Sequence, residues 1–184
     1  MKTMLSEIGL MQSFTTKDPE AHFKAFKRMQ DIYHQTALER IKGDDSKLRT
    51  FALFKTTPGY EKYLDEITCV KERTALTKFR ISNHKLMIEK GRHSGIDRKL
   101  RFCPFCPNRI EDEKHFLLSC HTYRYLRSDL YNKVKSNCPS ICNQPHDYRF
   151  LTLMRDVTAA PVSHFIFRAM ELREYLLDRP KMHD

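Results

Sequence analysis

The sequence predicts a mainly α-helical protein, and two observations lead to this prediction. Apolar residues recur at three- and four-residue intervals in several long stretches, which is the spacing of one helix face. Alternating apolar and polar residues, the pattern of a half-buried strand, are rare. Apolar residues make up 40% of the 184 residues and only five are glycine, so the chain has enough apolar surface to bury a core.

The first predicted helix follows a loose tail at residues 1–17. Asp18 is a suitable cap, Pro19 suits the first helical position, and Glu20 suits the positive end of the helix dipole. Gly43 and the two aspartates after it predict the end of this helix. Its apolar residues share one side, which we interpret as a core face: Phe23, Phe26, Met29, Tyr33, Ala37 and Ile41.

Two short helices and one long helix are predicted next. The short helices cover residues 46–55 and 60–67, with Thr57-Pro58-Gly59 between them. The long helix runs over residues 70–88, and Gly91 breaks its pattern before a loop at 93–95. One face carries Ala75, Leu76, Phe79 and Leu86, and beside it runs a stripe of lysines spaced by seven: Lys71, Lys78 and Lys85.

Three more helices are predicted in the C-terminal third. One covers residues 123–135, and a loop at 137–145 separates it from a short helix at 148–154. Pro161 opens the last helix, whose apolar face ends before Pro180.

Four residues of types that commonly bind metals lie close together in the sequence. Cys103, Cys106, His115 and Cys120 have the spacing C-x2-C-x8-H-x4-C. Structural Zn²⁺ takes four Cys or His ligands in a tetrahedron, and this set leaves no position open for water or substrate. The pattern therefore predicts one structural zinc ion, against the alternative that the cysteines are small buried hydrophobic residues.

Two neighbouring features leave alternatives open. His121 adjoins Cys120 and competes with His115 as a ligand, although His115 leaves a more workable loop. The acidic run Glu111-Asp112-Glu113 lies at the start of a short predicted helix, where its negative charge suits the helix dipole. This helix ends near Cys120. A carboxylate of that run is alternatively a partner that orients the His115 ring, but we favour the helix start.

The other cysteines and the absence of catalytic motifs indicate little further chemistry. Cys138, Cys142 and His146 are spaced C-x3-C-x3-H, but two of them adjoin prolines, and we favour loop thiols over a second metal site. Cys69 stands alone and is predicted to be buried. The sequence has no glycine-rich phosphate loop and no G-x-S-x-G motif, so we predict that the protein is not an enzyme.

Basic residues outnumber acidic ones by 33 to 23, and most of the excess lies just before the metal-binding motif. Residues 71–101 hold ten Lys or Arg against three acidic residues, a net charge of +7. The excess favours an acidic partner such as nucleic acid, although a solvated surface is the alternative. The predicted phosphate contacts are Lys71, Lys78, Arg80, Lys85, Arg92, Arg98, Lys99 and Arg101, with Phe102 or Phe105 stacking on an unpaired base.

The sequence also bears on where the protein acts. Glu7 and Gln12 interrupt the apolar core that a signal peptide needs, and no eighteen apolar residues run together. We therefore expect no secretion and no membrane partner, and six cysteines that serve as thiols or metal ligands. The expected compartment is the nucleus or the cytoplasm.

Several motifs in a fixed order resemble a known family. They are Ser46–Lys55, Leu76–His93, the run from Arg101 to Cys106, the run from Ile110 to Cys120, and Tyr123–Arg127. Together they closely resemble the C-terminal segment that follows the reverse transcriptase in animal non-LTR (LINE-type) retrotransposon polyproteins. In that family the Cys/Cys/His/Cys cluster is a CCHC zinc knuckle, thought to help hold template RNA or target DNA. The resemblance implies that role for Cys103, Cys106, His115 and Cys120 alone.

The same resemblance implies a segment without polymerase or endonuclease domains: a fragment, a relic or a host gene made from one. We therefore predict a helical domain with one small zinc knuckle, in four regions. These are a tail at 1–17, a basic helical region at 18–100, a zinc-knuckle module at 101–136 and a C-terminal helical region at 137–184. The predicted activity is nucleic-acid binding. The alternatives are a zinc-stabilised protein-interaction module and a retrotransposon relic without activity.

Overall fold

A computed structural model describes residue 9 and residues 19–43, 48–55, 59–155 and 158–178. These residues are mainly helical, as predicted, and their only extended pairing is an isolated antiparallel bridge between Phe102 and Ile110. Among these residues no helix has both the length and the apolar character to cross a membrane. They form two compact units, one built on residues 19–43 and the other on residues 48–54 and 60–178.

The first unit contains one long helix, α1, which spans Ala21–Lys42. It begins later than predicted: Glu20 precedes it and makes no side-chain capping bond, while Asp18 lies outside the described residues. It ends as predicted, at Lys42, and Gly43 follows it.

The interpretation of the α1 apolar stripe as a core face is wrong for most of its members. Phe23, Phe26 and Tyr33 are 68%, 67% and 70% exposed, and Met29 is exposed as well. Ala37 and Ile41 are half-buried. A helical period in the sequence shows that these side chains share a face, but it does not show that another element covers that face.

The second unit contains seven helices in the described part of the chain. They are α2 (Arg49–Phe54), α3 (Tyr63–Glu66), α4 (Val70–Arg80), α5 (Met87–His93), α6 (Arg124–Val134), α7 (His146–Leu153) and α8 (Ala159–Asp178). Short 3-10 turns occur at Arg98–Leu100, His121–Tyr123 and Pro139–Asn143, and a π-helical turn spans His115–Ser119. The predicted helices in the C-terminal third agree with α6, α7 and α8 to within about two residues.

The predicted long helix over residues 70–88 is wrong, because the chain breaks between α4 and α5. Ser82 has a φ of 54°, in the left-handed region, which an α-helix does not contain. The side chain of Ser82 is buried and its hydroxyl donates to Glu113 at 3.1 Å. Ser and Asn compete with helical backbone bonding, so Ser82-Asn83 was the sequence signal for this break.

Gly91 does not end a helix but lies inside α5, which continues to His93. A Cβ at Gly91 would lie 2.7 Å from Cγ of Arg101. A side chain there would therefore collide with Arg101, and the glycine is explained by this close packing.

The core of the second unit forms where α8 packs against α4 and α6. Phe116 is fully buried at its centre, and its ring centroid lies 5.6 Å from that of Phe79, 5.9 Å from that of Phe165 and 4.8 Å from that of Tyr123. Buried residues from residue 63 to residue 169 join the same core, so it draws on three of the four predicted regions. Because Phe116 follows His115 directly, this core holds one end of the candidate site.

Candidate metal centre

The first two cysteines lie on a tight turn. The Cys103 N–H donates to the Arg109 carbonyl at 2.7 Å, and the Arg109 N–H donates to the Cys106 carbonyl at 3.3 Å. Asn108 closes the turn with a φ of 58°, a conformation that asparagine adopts more readily than most residues. The turn brings both thiols to the same side, where both are buried.

The second pair comes from the π-helical turn after the acidic run. Asp112 starts this turn, because its carboxylate accepts the His115 N–H at 2.7 Å. The Cys120 N–H donates to the His115 carbonyl at 2.8 Å, five residues back, and so closes the turn. This wide turn places His115 and Cys120 next to each other, although four residues separate them.

The four side chains meet in a compact cluster, as the spacing predicts. Their ligand atoms all lie within 4.8 Å of one another. Sγ of Cys120 lies 3.9 Å from Sγ of Cys103 and 3.6 Å from Sγ of Cys106. Two sulfurs bound to one zinc ion at about 2.3 Å and at a tetrahedral angle lie about 3.8 Å apart. The cluster could therefore hold a metal ion of that size without moving its sulfurs far.

The polar atoms of the cluster also fit a metal. Nε2 of His115 is buried and has no hydrogen-bond partner among the described residues, which is unusual for a polar atom unless a ligand satisfies it. The hydrogen bond between Cys103 and Cys120 raises the pKa of Cys103 and lowers the pKa of Cys120 to about 3. The lowered pKa of Cys120 favours the thiolate form that a metal requires.

His121, the alternative ligand, lies beside the cluster. Its Nδ1 is 3.0 Å from Sγ of Cys106, but its side chain is outside the group whose ligand atoms all meet. His115 is therefore the histidine that completes the set of four, and His121 is a hydrogen-bonding neighbour of one thiol.

The acidic run serves the fold and not the His115 ring. Arg173 from α8 donates twice to Glu111, with both distances 2.8 Å, and both residues are buried. Glu111 also accepts the Met87 N–H at 2.7 Å, at the start of α5. The favoured interpretation holds for Asp112 alone, and among the described residues no carboxylate of the run bonds the His115 ring.

Glu113 is the centre of a second buried polar network. It accepts from Arg49 at 2.7 Å, from Ser82 at 3.1 Å and from His84 at 2.9 Å. Burial alone would raise the pKa of Glu113, but the bond to His84 and the charges of His84 and Arg49 outweigh it and lower the pKa to about 2. Arg49 also pairs with Glu89, so α2, α5 and the turn at Ser82 are all joined here.

Arg127 is a supporting residue that the sequence did not reveal. Its guanidinium donates to the carbonyls of Leu117 at 2.8 Å, Cys120 at 2.7 Å and Phe116 at 3.3 Å. These carbonyls belong to the π-helical turn and the ligand after it, so Arg127 holds the second ligand pair in place. The available signal was an arginine on the apolar side of a predicted helix, between Leu126 and Leu130.

Six of the eight predicted phosphate contacts are exposed: Lys71, Lys78, Lys85, Arg92, Arg98 and Lys99. Lys71, Lys78 and Lys85 line one groove of about 600 Å³ between α4 and α8. Arg92 lies at the end of α5, where it pairs with Glu89 at 2.8 Å. Arg98 and Lys99 lie in the 3-10 turn before the cluster.

The structure contradicts the prediction that Arg80 contacts phosphates, while the prediction for Arg101, which is half-buried, stays a prediction. Arg80 is only 3% exposed, bonds Glu61 and the Met154 carbonyl, and lies over the rings of Phe54 and Tyr63. Arg101 donates to the carbonyls of Ile88 and Ile96, both at 2.9 Å. The planar guanidinium satisfies several carbonyls at once, which suits arginine to such internal positions.

The two predicted stacking residues differ. Phe102 is exposed, next to its bridge with Ile110. Phe105 is half-buried, and its ring packs edge-on against Tyr123 with centroids 6.4 Å apart. Phe102 is therefore the more accessible of the two rings.

The remaining cysteines form no metal site in the described part of the chain. Cys138 is half-buried and Cys142 is exposed, and the cluster described above is the one group of three or more metal-binding residues that meets. The prediction that Cys69 is buried is wrong, because it precedes α4 at an exposed position.

Comparison with known proteins assigns neither the fold nor the cluster to a family, because no family model, no curated protein and no solved structure matches this chain.

Proposed function

We propose that this protein is a zinc-stabilised nucleic-acid-binding module derived from the C-terminal segment of a non-LTR retrotransposon polyprotein. Zinc is the proposed metal because three thiolates and one imidazole in a tetrahedral set suit it. Four protein ligands fill the coordination shell, so the ion serves the fold and not a reaction. The protein acts in the cytoplasm or nucleus, where its thiols stay reduced.

The observation that supports nucleic-acid binding is that most of the basic side chains in residues 71–101 are exposed, while a few bond other parts of the protein. Arg80 is buried and Arg101 is half-buried, while seven cations from Lys71 to Lys99, Lys90 among them, are exposed. Lys71, Lys78, Arg98 and Lys99 make no ion pair among the described residues. A group of unpaired surface cations within thirty residues favours a polyanion as partner.

A salt titration tests this proposal. Binding to single-stranded RNA or DNA should weaken with a log–log slope of about −0.7 per neutralised phosphate, so four to six contacts give a slope of about −3 to −4. The triple variant Lys78→Glu, Lys85→Glu and Lys99→Glu should remove most of this dependence and keep its zinc. A matched control changes the same charge elsewhere, with Lys133→Glu, Lys135→Glu and Arg155→Glu, all exposed residues.

Two results would count against the proposal. A wild-type protein that retains neither RNA nor DNA at low salt would contradict it. A control triple variant that weakens binding as much as the test variant would show that net charge, and not this surface, is responsible.

A further inference from the structure

The groove between α4 and α8 combines an apolar floor with a basic rim. Ala75 from α4 and Phe167 and Met170 from α8 form the floor, and each of these side chains is half-buried. Lys71 and Lys78, both exposed, also line the groove. An apolar surface left open beneath cationic side chains is the arrangement that binds a ligand with both charged and flat apolar parts.

Nearby acidic side chains do not neutralise all the positive charges of the groove. Lys85 forms an ion pair with Glu174 of α8 at 2.6 Å. Glu72, the carboxylate on α4, pairs instead with His164 at 2.8 Å. Lys71 and Lys78 make no ion pair in the described residues, and both are exposed. Seven residues apart on a helix, they are separated by about 10.5 Å along the axis. The groove therefore presents two spaced positive charges to an anionic ligand.

The floor distinguishes between kinds of anionic ligand. Thr74 and Asn83 also line the groove, and both are exposed, so hydrogen-bonding groups interrupt its apolar surface. An acidic amphipathic helix needs a continuous apolar groove for its anchors. Unpaired bases instead need apolar or aromatic faces for stacking and polar groups at their edges, which is the combination found here. Duplex DNA hides its base faces and would leave Phe167 without a contact.

We propose that this groove binds single-stranded nucleic acid, with phosphates on Lys71 and Lys78 and a base against Phe167 and Met170. This proposal rests on the proposed function and adds a preference for single strands over duplex. Arg92, Arg98 and Lys99 lie outside the groove and remain available to either form.

Fluorescence anisotropy with a labelled 20-nucleotide oligo-dT, a 20-nucleotide oligo-U and a 20-base-pair duplex tests the preference. In the double variant Lys71→Glu and Lys78→Glu, the salt slope on single strands should fall by about 1.4, since each lost contact accounts for about 0.7. Binding of the duplex should change much less. The control variant Lys133→Glu and Lys135→Glu makes the same charge change at the C-terminal end of α6, outside the groove, and should leave the single-strand slope unchanged.

A second variant tests the floor. Phe167→Leu keeps an apolar side chain but removes the ring, and should weaken single-strand binding about fivefold or more with little effect on the duplex. Thermal unfolding and zinc content should match the wild type in all variants. If Phe167→Leu unfolds, the comparison between the double variant Lys71→Glu and Lys78→Glu and its control decides the outcome.

The outcomes separate this proposal from the proposed function. If the wild type binds nucleic acid but Lys71→Glu and Lys78→Glu weaken both forms equally or neither, the groove proposal fails and the proposed function stands. If the wild type binds no nucleic acid, both fail. If an acidic amphipathic peptide binds the wild type, loses binding in the double variant and is not displaced by oligo-dT, the groove is a peptide site and the proposal is overturned.

Discussion

The region around the Cys/His cluster buries charged side chains, whereas helix α1 leaves apolar side chains exposed. Next to the cluster, Glu111, Glu113 and Arg173 are buried, each with hydrogen-bond partners. On α1, Phe23 and Phe26 are exposed although they follow a regular apolar stripe. The comparison shows that burial follows the partners a side chain finds. A carboxylate tolerates burial when a guanidinium satisfies both of its oxygens, and an apolar stripe stays exposed where no element covers it.

The largest expected effect comes from removing the metal. Cys103→Ser or Cys120→Ser should release zinc and unfold residues 100–125, because structural zinc in finger peptides contributes about 10–16 kcal/mol at neutral pH. Metal analysis and hydrogen exchange measure the result. Helices α4 and α8 should keep their protection, because they pack on each other. Cys142→Ser changes an exposed thiol outside the cluster and serves as the control. Absence of zinc from freshly purified wild-type protein would contradict the prediction.

The next effect concerns the buried pair of Glu111 and Arg173. Glu111→Gln should lower the free energy of unfolding by about 3–5 kcal/mol, because it leaves the Arg173 guanidinium buried without its counter-charge. Urea denaturation measures this loss. Glu174→Gln breaks the exposed pair with Lys85 and should cost about 0.2–1 kcal/mol. Equal losses of unfolding free energy in the two variants would show that burial does not determine how much each ion pair stabilises the protein.

A pH titration sharpens the account of buried charge. The pKa of Glu113 is about 2 in the folded protein and 4.5 ordinarily, so folding favours its ionised form. Its contribution is fully present above about pH 5 and is lost as the pH falls toward 2; it amounts to about 3 kcal/mol. The difference in unfolding free energy between wild type and Glu113→Gln should therefore shrink over that range. A difference that stays constant from pH 6 to pH 3 would contradict the assigned pKa.

The smallest effect is expected on α1. Phe26→Ala should change the free energy of unfolding by no more than about 0.5 kcal/mol, because the ring is already exposed. Phe79→Ala, the same change at a fully buried ring, should cost about 3–5 kcal/mol. Thermal or urea unfolding of the two variants compares them directly. A loss of several kcal/mol in Phe26→Ala would mean that the α1 stripe is covered in solution.

Much of the fold could be predicted because it depends on local pattern. The helices at α6, α7 and α8 follow apolar periods, and Gly43 follows the end of α1 as predicted. The break at Ser82 was missed because an apolar period continues across it, and the buried bond from Ser82 to Glu113 comes from thirty-one residues away. Gly91 was interpreted as a helix end because its close approach to Arg101 depends on packing that no local pattern records.

The sequence by itself determined the helical class and the four members of the Cys/His cluster. Helical periods and ligand spacing are short-range properties, and the turns that bring Cys103, Cys106, His115 and Cys120 together span eighteen residues. The tertiary structure alone decided which basic residues reach the surface. Arg80 meets Met154, and Lys71 and Lys78 share a groove with Phe167, across contacts between distant parts of the chain. Such contacts depend on how helices pack against one another, and composition and period do not contain that information.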